Sequence, residues 1–179
     1  MRRVEIELPV TGHDPTAVYT ALCAFERFPE HVAALRSVRV AHSGDGRLWS
    51  SWELLVRGGV LRWTEQDRFD RRGLAIRFRQ TGGEMAHFGG AWRVAATPNG
   101  CVVRFVADFA LEGAALSGLL EPIVERALRC AVHAVVRGLF GPAAQRSRAR
   151  RPRTARREQV VPLAQPAAGE GAARRRVTR

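Results

Sequence analysis

The chain has 179 residues and a hydrophobic fraction of 46%, enough for one ordinary domain with room for a tail. Its net charge is +12 and all 29 of its basic residues are arginine; residues 142–179 hold eleven Arg and two Glu, a net of +9, which leaves 12 − 9 = +3 for residues 1–141. A nearly neutral body argues against a fold built on a nucleic-acid-binding face, and no apolar run is long enough for a transmembrane helix.

The first residues, Met1-Arg2-Arg3-Val4-Glu5-Ile6-Glu7, are charged where a signal peptide needs an apolar stretch, so a cytoplasmic protein is expected. Val4–Leu8 alternates with period two and predicts a strand ended by Pro9. Asp14-Pro15 supplies an N-cap and a first-turn proline, and Val18, Leu22 and Phe25 then repeat at helical spacing, which predicts a helix over about 14–26. Phe28-Pro29-Glu30 breaks it, and His31 to Leu35 predict a second short helical turn.

Strands follow one another from there. Ser37–His42, Leu48–Arg57, Val60–Phe69, Leu74–Gln80, Ala86–Ala95 and Cys101–Leu111 are separated by short turns, among them Gly44-Asp45-Gly46, Gly58-Gly59 and Gly82-Gly83. Consecutive strands with short turns predict an antiparallel meander. Residues 118–140 then carry a broad apolar stripe, Leu119, Leu120, Ile123, Val124, Ala127, Leu128, Ala131, Val135 and Leu139, with Arg126, Arg129 and Arg137 opposite. Gly141-Pro142 ends that helix. Beyond it, Arg, Ala, Pro and Gln dominate without aromatic residues, which predicts a 1–141 domain and a disordered tail over 142–179. The tail reads either as a solvated extension or as a tether to anions such as an acidic carrier protein.

This order, together with Phe25-Glu26-Arg27-Phe28-Pro29-Glu30, Trp63, Trp92 and Val103–Phe109, resembles the SRPBCC or START-like superfamily, in particular its polyketide cyclase/aromatase and coenzyme Q-binding branch. The resemblance covers about residues 3–140. It implies an α+β helix-grip fold, a seven-stranded antiparallel curved sheet wrapped around a long C-terminal helix. It also implies an internal cavity for a hydrophobic small molecule such as a polyketide, quinone or lipid. The function it implies is that of a polyketide cyclase or aromatase, with a non-catalytic carrier as the alternative. The strand position that holds a pocket arginine in the type II aromatase/cyclases is Asp67 here, and the chain's one tyrosine is Tyr19.

Alternation assigns the inward faces. Leu61, Trp63, Glu65, Asp67 and Phe69 share one; Trp52, Leu54 and Val56 belong with them, as do Ile76, Phe78 and Gln80, then Phe88, Gly90, Trp92 and Val94, then Val103, Phe105, Ala107 and Phe109. Ile123, Ala127, Ala131 and His133 are their expected partners on the long helix. Trp52, Trp63, Phe78, Gln80, Phe88, Trp92 and Phe105 are accordingly the candidate ligand-binding residues, although the same pattern also describes a plain core. Glu65 and Asp67 interrupt the apolar face. Two carboxyls so placed repel each other and have raised pKa values, which suits general acid–base work; the competing reading pairs them with a neighbouring arginine. The cysteines Cys23, Cys101 and Cys130 are odd in number and widely spaced, reading as small apolar fillers with neither a disulfide framework nor a zinc pattern. The five histidines show no metal spacing, and no phosphate loop is present, so neither a metal nor a cofactor is expected.

Overall fold

The structure is a computed structural model that describes residues 1–42, 48–57 and 59–141, with 114–117 described in backbone only. Ten elements run in the order β1 (Arg2–Thr11), α1 (Pro15–Leu22), a 3-10 turn (Phe25–Glu30), β2 (Leu35–His42), β3 (Leu48–Val56), β4 (Gly59–Asp70), β5 (Ala75–Gly83), β6 (Met85–Thr97), β7 (Gly100–Leu111) and α2 (Ala114–Phe140). All seven strands join one antiparallel sheet in the order β1-β7-β6-β5-β4-β3-β2, so the first strand closes against the last. The turn at 44–46, Gly58 and the arginine-rich segment 142–179 lie outside the described residues.

Several boundaries differ from the expectation for local reasons. β1 continues through Pro9 to Thr11 because it is an edge strand paired only to β7, where a missing amide costs no ladder bond on the open side. α1 starts as expected, with Asp14 Oδ1 accepting from Ala17 N at 2.9 Å, but ends at Leu22. The next turn is the 3-10 segment, which places Phe25 and Phe28 in the core, and no helical turn forms over 31–35. α2 begins at Ala114, four residues before the expected start at 118, and runs through Pro122, whose absent amide removes the bond to Gly118.

α2 lies over the concave face of the sheet and packs against β1, β7 and β3. Its inward stripe is Val124, Leu128, Ala131, Val132, Val135, Val136 and Phe140. This corrects the expected set: Ala131 is buried, while Ile123, Ala127 and His133 are only half-buried beside the contact. Ion pairs flank the contact. Arg2 on β1 reaches Glu121 at 3.3 Å and Glu125 at 2.9 Å, and Arg129 bonds both Glu125 at 3.0 Å and the Glu5 carbonyl at 3.1 Å. Phe69, expected inside, is 37% exposed, although its ring still lies 5.8 Å from that of Phe25. Of the cysteines, Cys101 is buried and Cys23 half-buried, but Cys130 is exposed on α2, which corrects its reading as a filler.

Candidate functional site

Between sheet and helix the aromatic side chains form a closed circuit. Trp52 stacks on Trp63 with centroids 5.8 Å apart, Trp63 meets Phe88 at 5.4 Å, Phe88 meets Phe78 at 5.1 Å, and Phe78 stacks on Phe105 at 5.8 Å. Phe105 then meets Trp92 at 4.6 Å, Trp92 meets Phe28 at 6.2 Å, and Phe28 returns to Trp52 at 6.1 Å. Inside the circuit is a cavity of about 60 Å³, lined also by Leu35, Leu54, Leu128, Ala131, Val132 and Val135. Strand alternation brings the sheet's share of these rings to one face. The close approach of β6 to β7 completes the arrangement: a Cβ on Gly90 would lie 2.0 Å from the Val106 carbonyl oxygen and 2.8 Å from the Phe78 ring.

Among the described residues, one ionisable side chain borders this cavity, that of Glu65. It is 4% exposed, and Asp67, two residues on along the same face of β4, is 3% exposed. Ser50 on the neighbouring β3 stands between them, its Oγ 2.6 Å from Asp67 Oδ2 and 3.3 Å from Glu65 Oε1. The two tryptophans of the stack supply the remaining donors: Trp52 Nε1 donates to Ser50 Oγ at 2.8 Å and Trp63 Nε1 to Glu65 Oε2 at 2.9 Å. Asp67 Oδ1 is buried without a hydrogen-bond partner among the described residues.

Burial raises the pKa of both carboxyls, because the charged form loses its water. For Glu65 the adjacent charge of Asp67 adds to that rise, while the bonds from Trp63 and Ser50 and the nearby Trp52 indole oppose it; for Asp67 the Ser50 bond opposes it. The pair therefore titrates as a unit, shifted toward neutral pH. Pairing with an arginine, the competing expectation, is not what the site holds: among the described residues no ion pair reaches either carboxyl, and Arg68, Arg77 and Arg79 project from the other face of β4 and β5.

Of the expected ligand-binding residues, Trp52, Trp63, Phe78, Phe88, Trp92 and Phe105 line the cavity and Gln80 does not. Gln80 is the cross-strand neighbour of Glu65, and its amide nitrogen donates to the Met85 carbonyl at 2.8 Å. That bond turns its side chain toward Met85, and a bulge follows directly after it: Trp63 faces Gly83 and Thr64 faces Gly82, but Glu65 faces Gln80, so Thr81 is the extra residue. Gly83, at φ 122°, permits the approach, since a Cβ there would lie 2.4 Å from the Arg62 carbonyl oxygen. Asp67 also stands back from the cavity, behind Ser50. Two contributors were missed. Ser50 shares the parity of Trp52 and Leu54, a signal available in the alternation, and Phe28 repeats three residues after Phe25. Among the described residues no group of three or more His, Cys, Asp or Glu side chains gathers as a metal site would require.

Comparison with known proteins agrees with this architecture. A protein of Thermus thermophilus superposes with a TM-score of 0.70 at 22% identity over 82% of this chain and 100% of its own. The Zhui aromatase/cyclase from Streptomyces sp. R1128 gives 0.67 at 21% identity over 83% and 96%. A START superfamily protein from Mycobacterium smegmatis gives 0.61 at 10% identity over 78% and 95%. These likenesses establish the helix-grip fold. No curated protein matches the sequence. The model of the family described as polyketide cyclase / dehydrase and lipid transport matches residues 11–136, and the chain belongs to that family within the SRPBCC superfamily.

Proposed function

We propose that the protein binds a hydrophobic aromatic or polyketide-like molecule within the aromatic circuit and moves a proton on it through Glu65, as a cofactor-independent cyclase, aromatase or dehydratase. The observation that carries this reading is a buried carboxyl pair, unpaired by any cation among the described residues, with one member bordering an aromatic-lined cavity. A carboxyl with a raised pKa is matched to proton exchange near neutral pH. In ring closure of a poly-β-ketone, Glu65 takes the proton from the carbon between two carbonyls or returns one to the leaving hydroxyl. The aromatic walls orient the chain and exclude water, which supplies the proximity term of the catalysis. The family, described as polyketide cyclase / dehydrase and lipid transport, and the aromatase/cyclase neighbour support this class of ligand.

The apolar lining equally suits a carrier of a quinone, lipid or polyketide, and the two readings predict opposite orders of sensitivity. With a poly-β-ketone thioester as probe, a catalyst gives a Glu65→Gln variant with affinity retained and turnover reduced by roughly 10²–10⁴-fold. Trp63→Ala and Trp92→Ala should then act mainly on binding. A carrier gives a silent Glu65→Gln and no turnover in the wild type, with binding lost in the tryptophan variants; that result would overturn the catalytic reading. Each variant is first compared with wild type by thermal unfolding, because truncating a buried aromatic costs roughly 3–5 kcal/mol.

A further inference from the structure

The hydroxyl between the two carboxyls has a bonding capacity that can be counted. A serine oxygen donates one hydrogen and accepts two. Trp52 Nε1–H fills one acceptor position of Ser50 Oγ. One donor and one acceptor position remain, and two carboxyl oxygens face them, Asp67 Oδ2 and Glu65 Oε1. Both are satisfied when one carboxyl is protonated and gives its hydrogen to Ser50 while the hydroxyl gives its own to the other. The far oxygens are unlike. Glu65 Oε2 already accepts from Trp63 Nε1, which disfavours a proton there, whereas Asp67 Oδ1 is buried and unpartnered among the described residues.

We propose that Ser50 is a proton relay between Asp67 and Glu65, a positioning residue through which the carboxyl at the cavity exchanges its proton with the carboxyl behind it. The transfer balances. The Asp67 O–H bond breaks as a new Ser50 O–H bond forms, the original Ser50 O–H bond breaks as Glu65 Oε1–H forms, and the trio keeps a single negative charge throughout. Run in reverse, the same step clears a proton that Glu65 has taken from a ligand. The relay lets Glu65 share its proton with a second carboxyl as deeply buried as itself, both being 3–4% exposed. The groups facing the trio are Trp52 from β3, Trp63 from β4, Gln80 and Phe78 from β5, and Phe25 and Phe28 of the 3-10 turn around Trp52. None of these is a cation that would hold the pair fully ionised. The proposal rests on the reading of Glu65 as the group that meets the ligand.

Its test needs no ligand. Carboxyl-carbon NMR follows Glu65 in Asp67→Asn, where the amide nitrogen can take over donation to Ser50, and follows Asp67 in Glu65→Gln. A hydroxyl that serves both carboxyls makes Ser50→Ala raise the proton affinity of the remaining one in both backgrounds, by about tenfold for a lost donated bond, and Ser50→Thr restores both. A shift at Asp67 with Glu65 unchanged would show the hydroxyl to be fixed on Asp67 and would overturn the relay. If the alanine variants do not fold, wild-type titration decides. The indole Nε1–H signals of Trp52 and Trp63 should both move in both steps of the pair, and a Trp52 signal that stays still as Glu65 loses its proton is the contrary result. Failure of the catalytic reading is separate, because unchanged turnover in Glu65→Gln leaves the titration outcome standing.

Discussion

At the scale of single residues, the acid pair couples folding to pH with a definite sign. Burial raises the folded-state pKa values of both carboxyls above their ordinary ones, and for Glu65 the neighbouring charge of Asp67 adds to the rise. The folded state therefore holds protons that the unfolded chain releases at lower pH. The pair's contribution to stability is full below the ordinary carboxylate range near 4 and is lost as pH rises through the raised values. Glu125 acts oppositely: its bonds to Arg129 and Arg2 lower its pKa, so its contribution fades in acid. Comparison of Glu65→Gln with wild type isolates the buried pair. Thermal unfolding between pH 4 and pH 9 should show the variant gaining on wild type as pH rises, and parallel curves would contradict the assigned burial.

At the scale of elements, the glycines separate close packing from open surface. A side chain at Gly90 would meet the backbone of β7, which cannot yield without opening the ladder, whereas a Cβ on Gly118 in α2 meets nothing within 4 Å. Gly90→Ala should destabilise by about 1–3 kcal/mol or more, as overpacking does, and Gly118→Ala should stabilise by about 0.5–1 kcal/mol through helix propensity. Denaturant titration measures both. The same contrast shows what could be read in the amino-acid order. The inward face of β4 was legible from Leu61 to Asp67, because period-two alternation continues unbroken there. It failed at Phe69, near the end of the strand, where the ring is left partly open to solvent. The rotation of α2 was not legible. Its apolar stripe is broad, and which part is buried follows from packing against β1, β7 and β3, flanked by the pairing of Arg2 with Glu121 and Glu125, about 120 residues apart in the chain. Ser50 had the correct parity but no local pattern marking it, since its meaning depends on two carboxyls across a strand pair. Gln80 kept the parity of Phe78 but lies outside the cavity, its amide bonded to the Met85 carbonyl, a partner that alternation does not encode.

At the scale of the whole molecule, the interior is nearly filled. A cavity of about 60 Å³ is well below the roughly 300–1,000 Å³ of ordinary ligand sites, so occupation by a polycyclic molecule requires sheet and helix to separate. Leu128 and Val132 on α2 form the wall with no hydrogen-bonding duty. Leu128→Ala should cost about 2–5 kcal/mol of stability while tightening the binding of a bulky aromatic probe, since part of the opening is already done. Calorimetric binding and thermal unfolding on one preparation would show both changes; a variant that loses stability without gaining affinity would place the ligand elsewhere. Residues 142–179 lie outside the described structure. They hold +9 of the chain's net charge of +12, against +3 for residues 1–141.

The pairing of β1 with β7 also has a consequence for synthesis. Arg2 is matched with Phe109 and Thr11 with Gly100, so the strand made first has no partner until about a hundred residues later. At about 5–20 residues per second that is a wait of roughly 5–20 s, and α2 emerges later still. During this interval the tryptophan-rich concave face has no cover and the sheet has an open edge on each side. The nascent chain thus spends its longest exposed period as a half-built sheet, and a holdase that shields apolar surface should bind it most strongly just before α2 leaves the ribosome.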